Sequence, residues 1–201
     1  MRRRFGRKGD ASQVSPLNNS FEDGALPDLD DDGRREKARS NARSSAVRLL
    51  SRREHAAAEI KQKLKFRGYD DALATEIVDD LTRHKLLSDE RFAEMFIRSR
   101  AERGQGPVRL RAELRQLKLP TELIESRILG AEIDWTALAT GIRQRKFGPK
   151  IPELAAERAK QMRFLQYRGF TADQIRTAMG ASFEEDPLLD AEADPVETGS
   201  D

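Results

Sequence analysis

Cysteine is absent from this 201-residue chain. That excludes disulfides, thiolate metal ligation and a cysteine nucleophile, and it fits a reducing compartment. Histidine is almost absent as well: His55 and His84 stand far apart, and neither has a metal-ligand partner at helical spacing. Each reads as a surface or boundary residue. No apolar run approaches the roughly 20 residues that a membrane span requires. The basic start MRRRFGRKG has no apolar core behind it, so no secretory signal is expected and the setting reads as cytoplasmic. Aromatic residues make up only 6% of the chain, with one tryptophan. Trp135, Phe66, Phe164 and Tyr167 lie on or beside apolar helical stripes and read as core before base-stacking platforms.

Catalytic groupings are equally scarce. Gly104-Gln105-Gly106 follows no strand and lacks a P-loop lysine, so it reads as a turn. Carboxylates are plentiful but interleaved with Lys and Arg, and no pair is set apart in a dry pocket. Asp28, Asp30, Asp32 and Gly33 match the start of a calcium loop, yet Arg39 stands where a bidentate Glu is needed, so an acidic linker is the better reading. The expectation is no enzyme, no metal and no cofactor.

What the chain has is charge, unevenly spread. Residues 1–9 carry five basic groups and no acid, and residues 10–33 carry seven acids and no base. Residues 34–183 hold a surplus of twelve positive charges, while 184–201 carry eight acids and no base. A basic body between acidic ends points to a polyanion or an acidic protein groove as partner.

The body is helical in pattern. Ser88 is placed to cap a helix with Asp89 and Glu90 in its first turn, and Phe92, Met95, Phe96 and Ser99 mark its expected buried stripe. Gly104 and Gly106 are read as relieving backbone angles before Pro107 opens the next helix, whose Leu110, Leu114 and Leu117 point inward. Ser51-Arg52-Arg53-Glu54 has the form of a capping box opening a helix with Ala56, Ile60 and Leu64 inside. Asp70 and the Thr171–Gln174 box cap later helices, and Asp134 caps the one begun by Trp135.

This grammar repeats. Leu64-Lys65-Phe66-Arg67-Gly68-Tyr69 is echoed by residues 114–119 and by Leu165-Gln166-Tyr167-Arg168-Gly169-Phe170, at offsets of 50 and 51 residues. Such a period with three helices per unit signals an all-α tandem repeat. The expected division is a disordered extension (1–35), three-helix repeats at 36–87, 88–130 and 131–183, and a disordered acidic tail (184–201). The middle repeat departs from the pattern with Lys118 in place of glycine and Pro120 in place of a capping residue.

Basic clusters recur near the end of each repeat's first helix. The candidate contact residues are Arg52, Arg53, Arg98, Arg100, Arg103, Arg109, Arg111, Arg115, Arg143, Arg145, Lys146, Arg163 and Arg168.

Three stretches carry a family likeness: LLSRREHAAAEIKQKLKFRGYDD (49–71), LLSDERFAEMFIRSRAERGQGPVRLRAELRQ (86–116) and YRGF (167–170). With these, the chain over about residues 43–180 resembles the RecX family, bacterial regulators of the RecA recombinase. The resemblance implies tandem three-helix repeats in an elongated, curved array that binds along the groove of RecA–DNA filaments. It also implies restrained filament growth and reduced strand exchange, ATP hydrolysis and coprotease activity, hence a role in DNA repair, recombination and the SOS response. It carries no catalytic residue across. The partner expected is the RecA filament, with single- or double-stranded DNA inside it as a further contact, and the chain is expected to be a monomer. The alternative reading is a general helical nucleic-acid binder whose Arg clusters meet phosphates.

Overall fold

A computed structural model describes residues 31–180 of the chain, and among them are nine α-helices and no strand. The expectations for residues 1–30 and for the acidic tail at 184–201 lie outside the described residues. Residues 31–35, expected in the extension, are instead the opening of a helix.

The first triplet comprises α1 (Asp31–Leu50), α2 (Ala57–Phe66) and α3 (Asp71–Arg83). Only Ala42 and Ala46 of α1 are buried, so its polar first half is held by charge. Asp31 and Asp32 sit in its first turn, Arg35 pairs with Asp31 at 3.1 Å, and Arg39 and Arg43 reach Glu76 and Asp80 of α3 at 2.8 and 3.1 Å. Exposed pairs of this kind contribute about 0.2–1 kcal/mol each, so several together are needed. The core beneath joins Ala42 and Ala46 to Ile60, Leu64, Ile77 and Leu81. Asp70 caps α3 by accepting from the Leu73 N–H at 2.7 Å.

The Ser51–Glu54 capping box does not form. Helix α2 begins only at Ala57, its N-cap is Ala56, and Ser51 donates to the Arg48 carbonyl instead. The missing cap comes from the next triplet, where Asp89 Oδ1 accepts from the Ala57 N–H at 2.8 Å. Arg91 Nε reaches Glu54 Oε1 at 2.8 Å beside it, and Ala56 packs into the second core. His55 is buried at 3% exposure with Nδ1 2.9 Å from Glu59 Oε2, so it is an interior residue and not the surface or boundary one expected.

The second triplet comprises α4 (Asp89–Glu102), α5 (Pro107–Gln116) and α6 (Thr121–Leu129). Ser88 caps α4 through the Arg91 N–H. The buried face of α4 is Phe92, Ala93, Ile97 and Ala101, with Phe96 half-covered, so the stripe is rotated from the one expected and Met95 is exposed. Leu110 and Leu114 of α5 are fully buried, each contributing about 1.5–3 kcal/mol. Lys118 takes the left-handed conformation (φ 64°), so the turn after α5 keeps the form of its glycine counterparts despite the residue. The strain costs about 1 kcal/mol relative to glycine.

The third triplet comprises α7 (Trp135–Phe147), α8 (Ala155–Arg168) and α9 (Ala172–Ala178). Asp134 caps α7, and both halves of the Thr171–Gln174 capping box are present on α9. Ala139, Ile142, Leu165, Phe170 and Ile175 form the core. The main helix pairings all fall within one triplet, so each core closes locally and the joints between triplets are thin. Phe66 and Tyr167, expected in the core, are 93% and 78% exposed, and both lie in the last turn of their helices.

Candidate functional site

The joint between the second and third triplets is made by two turns meeting backbone to backbone. The Gly106 N–H donates to the Arg168 carbonyl at 2.8 Å, and the Val108 N–H donates to the Gly169 carbonyl at 2.9 Å. Both amides belong to the start of α5, where backbone donors have no partner inside the helix. Gly169 is left-handed (φ 85°), as the sequence pattern requires. Gly106 is not: its φ is −89°, and glycine is required there for space. A Cβ on Gly106 would sit 2.3 Å from the Gly169 carbonyl oxygen, and one on Gly169 would sit 2.3 Å from Arg109 Cβ. Arg168 adds a side-chain tie, donating to the Arg103 carbonyl at 2.9 Å.

Beside this lock lies a cleft of about 240 Å³, lined by Glu102, Arg103 and Gly104 from the second triplet and by Ile142, Arg145, Lys146, Phe164 and Arg168 from the third. Arg145 and Lys146 occupy the last turn of α7, where the helix dipole favours cations. Lys146 Nζ stands 4.0 Å from the centre of the Phe164 ring, and Arg168 Cζ lies 5.2 Å from it. Phe147 braces the ring edge-on at 5.3 Å. Arg145 Nε donates to the Gly141 carbonyl at 3.3 Å. Among the described residues, none of the four cations lies within ion-pair reach of a carboxylate, although Glu102 stands on the rim.

Most other candidate arginines are already neutralised. Arg53 pairs with Glu59 at 2.7 Å. Arg100 and Arg109 converge on Glu113 at 3.3 and 2.8 Å, and Arg111 and Arg115 converge on Glu125 at 2.8 and 3.7 Å. The hydrogen bond that Arg109 Nε donates to Glu113 Oε1 raises the pKa of the Arg109 guanidinium further. The Arg109–Glu113 spacing was legible as an i, i+4 pair, whereas Glu125 lies on another helix and left no local signal. Arg52, Arg98 and Arg163 are exposed but stand outside the cleft.

Arg143 is withdrawn from the contact candidates. It is 1% exposed and donates to the carbonyls of Pro149 and Lys150, both at 3.2 Å, and to Gln161 Oε1 at 3.3 Å. It pins the linker between α7 and α8 and cannot reach a partner. Two residues later, Arg145 is free to do so: helical geometry separates neighbours that the sequence presents as one cluster.

Chemically, the cleft can hold an anion by charge and hydrogen bonding. Among the described residues no group of three or more His, Asp or Glu side chains is arranged to hold a metal, and no helix is long and apolar enough to cross a membrane.

Comparison with known proteins places these triplets. Residues 42–81, 88–126 and 132–179 match the family models for the first, second and third three-helix domains of RecX. Regulatory protein RecX of Halorhodospira halophila is 47% identical over 144 residues, covering 72% of this chain and 89% of that protein. Its namesake from Pseudomonas entomophila is 42% identical over 133 residues, covering 66% and 86% respectively. The crystal structure of RecX from Lactobacillus salivarius superposes with a TM-score of 0.63 at 18% identity, covering 72% of this chain and 96% of that one. A second crystal structure, of a regulatory protein RecX, gives 0.65 at 20% identity.

Proposed function

Because the chain belongs to the RecX family, we propose that it is a regulatory protein that binds RecA–DNA filaments and restrains RecA's recombinase, ATPase and coprotease activities. The observation that carries this reading is the full set of three RecX domains, joined through thin interfaces and bearing a cleft of uncompensated positive charge. Such a chain offers several weak contacts in a row. Along a periodic filament, each contact made raises the effective concentration of the next, so binding strengthens without any single deep site. The role is that of a binder, acting as a monomer in the cytoplasm, with no chemistry of its own.

The test is RecA's DNA-dependent ATPase followed over time with this protein added well below RecA's concentration. Progressive loss of activity supports filament binding that blocks growth. No effect at equal concentration, together with tight binding to free DNA, would replace this reading with the general nucleic-acid binder. The same uncompensated charge supports that second reading.

A further inference from the structure

We propose that the cleft at the joint of the second and third triplets is a phosphodiester clamp, and that docking of the Gly106 and Gly169 turns assembles it. The proposal deepens the filament reading, since the phosphates it assigns are those of single-stranded DNA held within the filament.

Three observations carry it. The cleft has four cations and one acid, and none of the four is paired with a carboxylate, whereas the neighbouring arginines share Glu113 and Glu125. Holding like charges together without a counter-ion is unfavourable, and an anion relieves it. The cations also come from three elements: Arg103 follows α4, Arg145 and Lys146 end α7, and Arg168 ends α8. A planar carboxylate is satisfied by one guanidinium fork, whereas a tetrahedral phosphate has oxygens for donors arriving from several sides. Finally, Lys146 already covers the Phe164 ring at 4.0 Å, so the ring is not a stacking platform. The clamp therefore reads backbone and not base, and binding is independent of sequence.

The site also depends on the joint. Arg103 belongs to one triplet and the other three cations to the next, so opening the joint carries Arg103 away. The Arg168–Arg103 tie and the two backbone hydrogen bonds fix the spacing, and the glycines permit that approach. A bound phosphate bridges the triplets and in turn stiffens the joint.

The experiment uses the full chain with fluorescein-labelled oligo(dT), titrated by anisotropy from about 50 to about 200 mM salt. The double variant Arg145→Ala/Lys146→Ala is expected to bind at least about tenfold more weakly and to lose about 0.7 from the salt slope for each phosphate released. Glu102→Ala is expected to bind more tightly. Gly106→Ala, which removes no charge, is expected to weaken binding comparably. For a readout that does not depend on this variant folding, cysteines at exposed Glu122 and Ala156 allow spin labelling of a chain with no other thiol. Oligo(dT) is expected to narrow the distance distribution between them.

No wild-type binding at low salt, or an unchanged affinity in the double variant, overturns the clamp. An unchanged distance distribution overturns its dependence on the joint. If the wild type restrains RecA while the double variant binds oligo(dT) normally, the clamp fails and the filament reading stands. If the variants weaken DNA binding but the wild type leaves RecA unaffected, the clamp stands and the filament reading fails.

Discussion

Replacing Arg143 with alanine separates a structural arginine from its binding-competent neighbour. The guanidinium is 1% exposed and holds two linker carbonyls at 3.2 Å and Gln161 Oε1 at 3.3 Å, with a weaker contact to the Gly148 carbonyl at 3.5 Å. Losing a donor to a buried acceptor costs about 1–3 kcal/mol. Pro149 and Lys150 are themselves exposed, so water can reach part of the freed backbone and the lower half of that range applies to them. Gln161 is buried and cannot be rehydrated so easily. Adding the void left by a large side chain, Arg143→Ala is expected to lose about 2–4 kcal/mol. Arg143→Lys recovers only part, because a single ammonium cannot reproduce the planar fork. Arg145→Ala is exposed and stays within about 0.5 kcal/mol of the wild type. Urea unfolding followed by far-UV circular dichroism and by Trp135 fluorescence measures all three. A loss below about 0.5 kcal/mol in Arg143→Ala would refute the reasoning and return Arg143 to the contact candidates.

Three further outcomes are expected. Asp89→Ala removes the cap that the second triplet lends to α2 and costs about 0.5–2 kcal/mol. Hydrogen exchange reads it: the Ala57 amide loses protection, and a variant that keeps it contradicts the assignment. Burial alone would raise the Glu59 carboxyl, but the His55 hydrogen bond and the charges of His55, Arg53 and Lys63 hold it below its ordinary 4.5. A depressed carboxyl stabilises the fold above its unfolded value, and that stability is lost as pH falls through the folded value. Glu59→Gln is therefore less stable than wild type at neutral pH, and the gap in urea midpoints closes as pH falls below about 4.5; a gap that does not narrow sinks the assignment. Ending the chain after Gly180 removes eight acids and no base. Affinity for oligo(dT) at low salt should then rise about three- to tenfold and the gain fade as salt rises, whereas an unchanged affinity shows that the tail does not screen the basic body.

Much of the fold was legible because its signals are local. Asp70, Ser88, Asp134 and the Thr171–Gln174 box cap helices from within four residues of the amides they serve, so spacing alone finds them. The Ser51 box failed for the opposite reason. Its pattern is right, but Asp89, 32 residues beyond Ala57, supplies the cap and leaves residues 51–56 to bridge two triplets. The α4 stripe departs for another reason: Ala93 and Ala101 are small enough to be buried without strong hydropathy to mark them, and Met95 is left outside. Of the candidate arginines, sequence could mark positive charge and the local Arg109–Glu113 pair, but not the neutralisation of Arg100, Arg111 and Arg115, whose partners Glu113 and Glu125 lie on other helices.

By itself, the sequence determined three helical triplets at a period near 50 residues, their principal caps and turn glycines, and the family likeness. These depend on dihedral preference and apolar period, which act over a few residues. Only the tertiary structure decided which charges remain available. It buried Arg143, paired Arg100 and Arg111, and brought Arg103 against Arg145, Lys146 and Arg168. It also gave Gly106 its reason, which is room for a carbonyl from another triplet. Electrostatic pairing and close packing depend on distance in space, and in a repeat protein those distances are set at the joints.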